Sequence, residues 1–409
     1  MGQWGPTVAY MVIKEEIERI GHQRKKYEEI YFCSGHPFTH RDVISQLVYR
    51  FNSAGKISKL IDVSQLSEEW REYNKHWDDL VEEQWLLKIK NFNDLKSTLQ
   101  NIESKSVLVI FLFTPIGSKA VIWKIFRKAG FDRGFLSPGG LPIFKDSEST
   151  KGLLKLKEHL LHLARIIKCK VKERLDLCII SGDAFLKDNP YLFSNSGSVR
   201  VIHSHSFDYE KYRYPEEPSS ESRETEETGV LFLDQAFTTH PDRFLNPHGA
   251  PITVEGTYDP ICQSLTILER KFGEQMSIAS HPKGSRRVTE QLFSKFDVIT
   301  GDTISKIKQS RLIISSSSTA IQWAVLLYKP LIFIITPELK KTILYKKTKG
   351  LSDFLKVDII DSTDIIYEKS IPDWPSPVKS AYDKYIYDYI KSKMSEEIPV
   401  FEKLHKELC

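Results

Sequence analysis

Three stretches of this 409-residue chain place polar and ionisable side chains directly behind apolar, strand-like runs. In RLIISSSSTAIQWAVLLY, the run Leu312–Ile314 ends in Ser315, Ser316, Ser317, Ser318 and Thr319, and an apolar helical period follows at once. Hydroxyls and backbone N–H groups at a helix start favour a bound anion, phosphate above all. A single Ser or Thr is enough to cap a helix, so a run of them suits an anion site better than a cap. In SIASHPKGSRR, His281 and Pro282 follow a second run, with Lys283, Arg286 and Arg287 close behind. His281 can donate to a phosphate oxygen, the cations add charge-assisted bonds, and Pro282 stiffens the turn. The other reading is a solvated surface turn, and it is stronger for the two arginines than for His281. In GVLFLDQAFTTHPD, Asp234 closes a third run. It is either a general base or nucleophile toward an anomeric carbon, or a turn residue holding backbone N–H groups.

Two further segments are weaker. VIHSHSFDYEKY supplies His203, His205 and Asp208 after a strand-like run, in a spacing that matches no standard zinc pattern. His205 and Asp208 either line the acceptor side of a site or form a satisfied structural cluster. LSPGGLP supplies Gly139 and Gly140, where backbone can approach a ligand closely or simply turn. GxxxxGKS, GxGxxG and GxSxG are all absent, which argues against a P-loop NTPase, a standard dehydrogenase and an α/β-hydrolase.

The elements that must position these residues alternate between apolar strands and amphipathic helices, the pattern of α/β architecture. Strand-like runs include EIYFCSG, KLIDVS, LLKIK, SVLVIFLFT, LDLCIISG and VRVIHS in the first half. SVLVIFLFT is apolar throughout, as a strand buried on both faces of a parallel sheet must be. Helices are expected from Thr39, as cap, through Phe51, over Lys119–Lys128 and over Leu153–Lys168. PEEPSSESRETEET then has no apolar side chain and reads as a solvated linker. A second series follows: GVLFLD, a helix over Asp259–Phe272, QMSIAS, RLIISS, a helix over Ser318–Tyr328, and PLIFII. The tail is helical, with Tyr382, Tyr385, Ile386, Tyr389 and Ile390 on one face. The expected domains are 1–214, a linker at 215–228, a nucleotide-sugar domain at 229–375 and a helical tail at 376–409. Ligands of open parallel sheets bind beyond the carboxyl ends of the strands, where all the residues singled out above stand.

Composition narrows the function classes. The 58 basic and 54 acidic residues leave a net charge of only +4, which opposes a nucleic-acid reader. Cys33, Cys169, Cys178, Cys262 and Cys409 are widely spaced, without a CxxC pair, so neither a zinc site nor a disulfide framework is expected. No apolar run approaches a membrane span and the N-terminus has no signal-peptide pattern. The expected compartment is the cytoplasm. The tail face, with Lys384, Lys391 and Lys393 beside its tyrosines, either contacts the inner membrane surface or packs across the two domains.

The segment ASHPKG, followed by strand-SSSST-helix, resembles the HP and SS motifs of bacterial CMP-sugar transferases. These include the sialyl- and polysialyltransferases and the Kdo transferases of capsule and lipopolysaccharide synthesis. FLDQAFTTHPD and HSFDYEKY look most like the retaining β-Kdo transferase branch. The resemblance covers roughly residues 199–335. It implies a GT-B-like fold, two Rossmann-like domains facing across a cleft, with metal-independent catalysis and no cofactor besides the CMP-linked donor. It implies that His281, with Ser316 and Ser317, holds the cytidine monophosphate. It also implies that an Asp, Asp234 by its FLD context, attacks the anomeric carbon to give a covalent adduct. The acidic element of sialyltransferases has no counterpart, since Glu226-Glu227 is followed by Thr228 before Gly229. The expected activity is therefore transfer of a 3-deoxy-ulosonic acid, Kdo-like before sialic-like, from CMP to a glycan or lipid-linked glycan acceptor of a bacterial surface polysaccharide. The alternatives are a UDP-sugar transferase, a CDP-polyol phosphotransferase, or a non-catalytic partner in a polysaccharide assembly complex.

Overall fold

Strands and helices alternate as the apolar runs predict. The computed structural model describes residues 25–39, 42–67, 70–71, 80–103, 106–115, 119–137, 139, 175–189, 199–215, 227–238, 252–282 and 284–409. The expected helix over Leu153–Lys168, the linker core, Gly140 and Lys283 lie outside these residues.

The described residues build two parallel sheets. The first contains β1 (Glu29–Ser34), β2 (Ile57–Asp62), β3 (Leu86–Lys88), β4 (Val107–Phe111), β5 (Asp132–Leu136), β6 (Leu177–Ile180) and β7 (Arg200–His203), in the order β3-β2-β1-β4-β5-β6-β7. The second contains β8 (Val230–Leu233), β9 (Met276–Ala279), β10 (Asp297–Ile299), β11 (Leu312–Ser315), β12 (Leu331–Ile335) and β13 (Ile359–Asp361), in the order β10-β9-β8-β11-β12-β13. Each order winds outward in both directions from its first strand, the doubly wound Rossmann arrangement. The edge strands β10 and β13 were not among the runs read from sequence.

Alternation along each strand feeds two apolar layers. In the first sheet Tyr31, Cys33, Val109 and Phe111 pack with Trp123 and Phe126 of the helix Lys119–Lys128. Ile30, Phe32, Leu108 and Ile110 face the other way, against Leu47, Val48 and Phe51 of the helix Val43–Ser53. Asp42, not Thr39, stands at the N-cap of that helix, and its carboxylate accepts from Thr39 N at 2.8 Å. In the second sheet Val230, Phe232 and Ile314 pack with Ile261, Leu265 and Leu268 of the helix Asp259–Phe272. Leu231, Leu233 and Ile313 pack with Ile321, Ala324 and Val325. Burying a side chain of this size stabilises by about 1.5–3 kcal/mol. This explains why strands such as β4 and β8 carry no polar residue.

The tail divides differently from the expected boundaries. One unit comprises the described residues up to Gly139, those of 147–207, and Lys391–Cys409; the other includes Asp208–Ile390. The helix Val400–Leu408 buries Val400, Leu404 and Leu408 in the layer beside Phe51, and Arg200 pairs with Glu407 at 2.6 Å. The tyrosine face stays in the second unit, where Tyr382, Tyr385 and Ile390 are fully buried. Ile386 and Tyr389 of the same face are half-buried and pack against that layer, so the face lies mainly within the second unit. Among the described residues no helix is long and apolar enough to cross a membrane.

Candidate functional site

In the second sheet the chain leaves β8 toward β9 on one side, while β11 leads to β12 on the other. The helices that follow β8 and β11 pack on opposite faces, against different apolar layers. The carboxyl ends of β8 and β11 thus diverge at the topological switch point, where open α/β sheets hold ligands. All three sequence segments converge on this edge. Asp234 follows β8, Ser280 and His281 follow β9, and Ser315 ends β11 with Ser316–Thr319 directly behind it, on three adjacent strands.

Asp234 is 3% exposed. Its Oδ1 accepts from Gln235 N at 2.8 Å and Ala236 N at 3.1 Å, and Oδ2 accepts from Thr289 Oγ1 at 3.4 Å. Burial pushes its carboxyl up to about 6, against the hydrogen bonds from Ala236, Gln235, Thr289 and Tyr258. Tyr258 is raised in turn, first by burial and then by the Asp234 charge. Of the two readings left open by the sequence, these contacts are those of a turn holder. The turn it holds is strained, because Ala236 has φ of 49°, a left-handed conformation that costs a non-glycine residue about 1–2 kcal/mol. Gly284 lies against it, and a Cβ there would stand 2.8 Å from Ala236 Cβ. Glycine therefore lets the exit of β9 approach the exit of β8.

The serine run does three jobs. Ser315 and Ser318 accept from Ser318 N at 3.2 Å and Ala320 N at 3.3 Å, which caps the turn before the helix Ile321–Leu326. Ser316, 1% exposed, donates to Ile334 O at 2.7 Å and so ties β11 to β12. Ser317 pairs instead with a side chain across the switch point: Gln235 Nε2 donates to its Oγ at 3.0 Å, and Oγ lies 3.2 Å from Gln235 Oε1. Thr319 is exposed. The helix begins later than expected, at Ile321, so Ser318–Ala320 form a turn.

His281 is half-buried and its carbonyl accepts from Gly284 N at 2.9 Å; Pro282 is exposed. Arg286 pairs on the surface with Glu290 at 2.7 Å, one helical turn along, which is the solvated-turn reading. The end of β12 is closed by protein groups: the Glu338 carboxylate accepts from Thr253 N at 2.8 Å and Thr257 Oγ1 at 2.6 Å.

Of the residues expected on the acceptor side, Gly139 and His205 belong to the first unit and Asp208 and Arg286 to the second. Gly139 has φ of 88°, and a Cβ there would meet Ser206 Cβ at 2.4 Å, so its glycine serves packing against the turn after β7. His205 is 3% exposed and bridges to Lys391, under the returning C-terminal segment of the first unit. Asp208 belongs to the second unit; burial pushes its carboxyl up to about 6, and its carbonyl accepts from Trp323 Nε1 at 2.8 Å. The spacing His203, His205, Asp208 thus straddles a unit boundary. Among the described residues no group of three His, Cys, Asp or Glu side chains is placed to hold a metal ion. Gln235, Thr289 and Tyr258 were not singled out from sequence. Only Gln235 carried a signal, its place directly after a strand-ending Asp.

Fold and site together define an α/β protein with two Rossmann-like domains, the domain pair of the GT-B class, and a set of polar strand ends at the switch point of the second. Neither a protein-family model nor a curated protein matches the chain. Among solved structures it is similar to the wall teichoic acid polymerase TagF, at 11% identity over 98% of this chain and 95% of that one, TM-score 0.46. It is also similar to UDP-GlcNAc 2-epimerase of Methanocaldococcus jannaschii, at 13% identity over 87% and 98%, TM-score 0.43. A third is MurG of Acinetobacter baumannii, at 9% identity over 84% and 90%, TM-score 0.40.

Proposed function

We propose that the chain is a glycosyltransferase that binds a CMP-linked 3-deoxy-ulosonic acid, Kdo-like before sialic-like, at the carboxyl ends of β8, β9 and β11. It would transfer the sugar to a glycan acceptor of a surface polysaccharide. One observation carries the reading: the FLDQ, SHP and SSSST segments, distant in sequence, meet on three adjacent strand ends at a topological switch point. His281, Ser317 and Thr319 are the groups suited to the nucleotide phosphate. A histidine and hydroxyls aimed at a leaving phosphate stabilise the charge that develops as the glycosidic bond to it breaks. Asp234 has the role of a positioning residue, since both its oxygens are engaged in and beneath the turn. Ser315, Ser316 and Ser318 build the turn that presents Ser317.

The test is a thermal-shift titration with CMP, UMP, UDP and CDP, with and without EDTA. CMP is expected to stabilise the protein, EDTA to change nothing. A ligand at about 100 times its dissociation constant adds about 2.7 kcal/mol. Stabilisation by UDP or CDP but not CMP would transfer the reading to a UDP-sugar transferase or a CDP-polyol phosphotransferase. No response to any nucleotide would favour a non-catalytic assembly partner.

A further inference from the structure

Gln235 and Ser317 stand two residues beyond Leu233 and Ser315, which are the last paired residues of β8 and β11. Beyond that pair the two chains diverge, and the Gln235–Ser317 contacts at 3.0 and 3.2 Å link them side chain to side chain. The geometry of the turn aims Gln235 there. Asp234 Oδ1 fixes the amides of residues 235 and 236, Ala236 holds a left-handed φ, and Gly284 presses on Ala236. Strain held in place by surrounding contacts concentrates at positions that present a group for function. Gln235 is half-buried, so part of its side chain is open to a ligand at the strand ends, whereas Ser317 is 7% exposed.

We infer that Gln235 is a specificity-determining residue of the donor site, which rests on the nucleotide reading above. The Gln235–Ser317 pair is a neutral latch across the switch point. When the nucleotide arrives, the contact opens, and Gln235 Nε2–H and Ser317 Oγ–H both donate to oxygens of its phosphate. A neutral amide suits this place. It satisfies Ser317 when no nucleotide is bound and turns its donor to the phosphate when one is, with no buried charge left over. A carboxylate of the same shape would still accept from Ser317 and would repel the phosphate.

The experiment compares CMP with cytidine, which lacks the phosphate, by calorimetric titration of wild type, Gln235→Glu and Gln235→Leu. Melting curves without ligand check that the half-buried site tolerates both changes. Gln235→Glu is expected to weaken CMP at least tenfold and Gln235→Leu several-fold, with cytidine binding unchanged in both. Equal CMP affinity in wild type and Gln235→Glu would overturn the inference and leave the nucleotide site standing. Equal weakening of CMP and cytidine would also overturn it, since the phosphate would not be the group recognised. A wild-type protein that binds neither would overturn the inference and the nucleotide reading together.

Discussion

Replacing Asp234 by Asn is expected to stabilise the protein at neutral pH. Burial raises the Asp234 carboxyl from 3.8 to about 6. Between those values the folded state binds a proton that the unfolded chain has lost, so stability falls as pH rises through the window. Above pH 6 the whole penalty of the buried charge is present. A shift of about two pH units corresponds to about 3 kcal/mol. Asn keeps an Oδ1 that accepts from Gln235 N and Ala236 N, and its amide can donate to the hydroxyls of Thr289 and Tyr258, which otherwise donate to the carboxylate. The variant therefore retains the turn without the charge. Urea unfolding at pH 4, 5, 6 and 7.5 should show Asp234→Asn more stable by up to about 3 kcal/mol at pH 7.5, with the advantage vanishing toward pH 4. Asp208, also raised to about 6 by burial, is present in both proteins and cancels in the difference. An Asn variant less stable than wild type at pH 7.5, or a difference independent of pH, would refute the assignment of Asp234 as a buried, turn-holding carboxylate.

Other changes separate structure from binding. Ser316→Ala removes the bond to Ile334 O and should cost about 0.5–1.5 kcal/mol in urea unfolding, with CMP affinity unchanged. His281→Ala should do the reverse, weakening CMP by calorimetry while the unfolding midpoint stays. Gly139→Ala forces a Cβ onto Ser206 at a positive φ and should lower stability by about 1–3 kcal/mol, with nucleotide binding in the other unit intact. Tyr385→Ala empties a fully buried site beside Leu351 and Leu355 and should cost about 3–5 kcal/mol without changing the weak liposome binding expected of a buried face.

The central strands were legible because they are buried on both faces: β4, β8 and β12 are apolar throughout, and β1 and β11 are apolar apart from polar residues at their ends. The edge strands β10 and β13 have three residues each, one of them an Asp, and present no such run. The strand-end positions of Asp234, His281 and Ser315–Thr319 followed from the same pattern. The direction of each hydroxyl did not, because Ser316 turns to Ile334 and Ser317 to Gln235, partners set by strand order and not by local sequence. The tail shows the same limit. Its apolar periodicity announces a buried face, yet only the fold assigns Tyr382 to one unit and Leu404 to the other. For Gly139 and His205 the sequence left a ligand-side and a packing role open, because a glycine or a histidine after a strand carries no mark of what packs on it.

Hydrogen exchange with and without saturating CMP tests the location of the nucleotide most directly. The account predicts slowed exchange in peptides spanning Leu233–Phe237, Ala279–Gly284 and Ser315–Ala320, the three adjacent strand ends. Protection confined to peptides of the first unit, with these three unchanged, would contradict it.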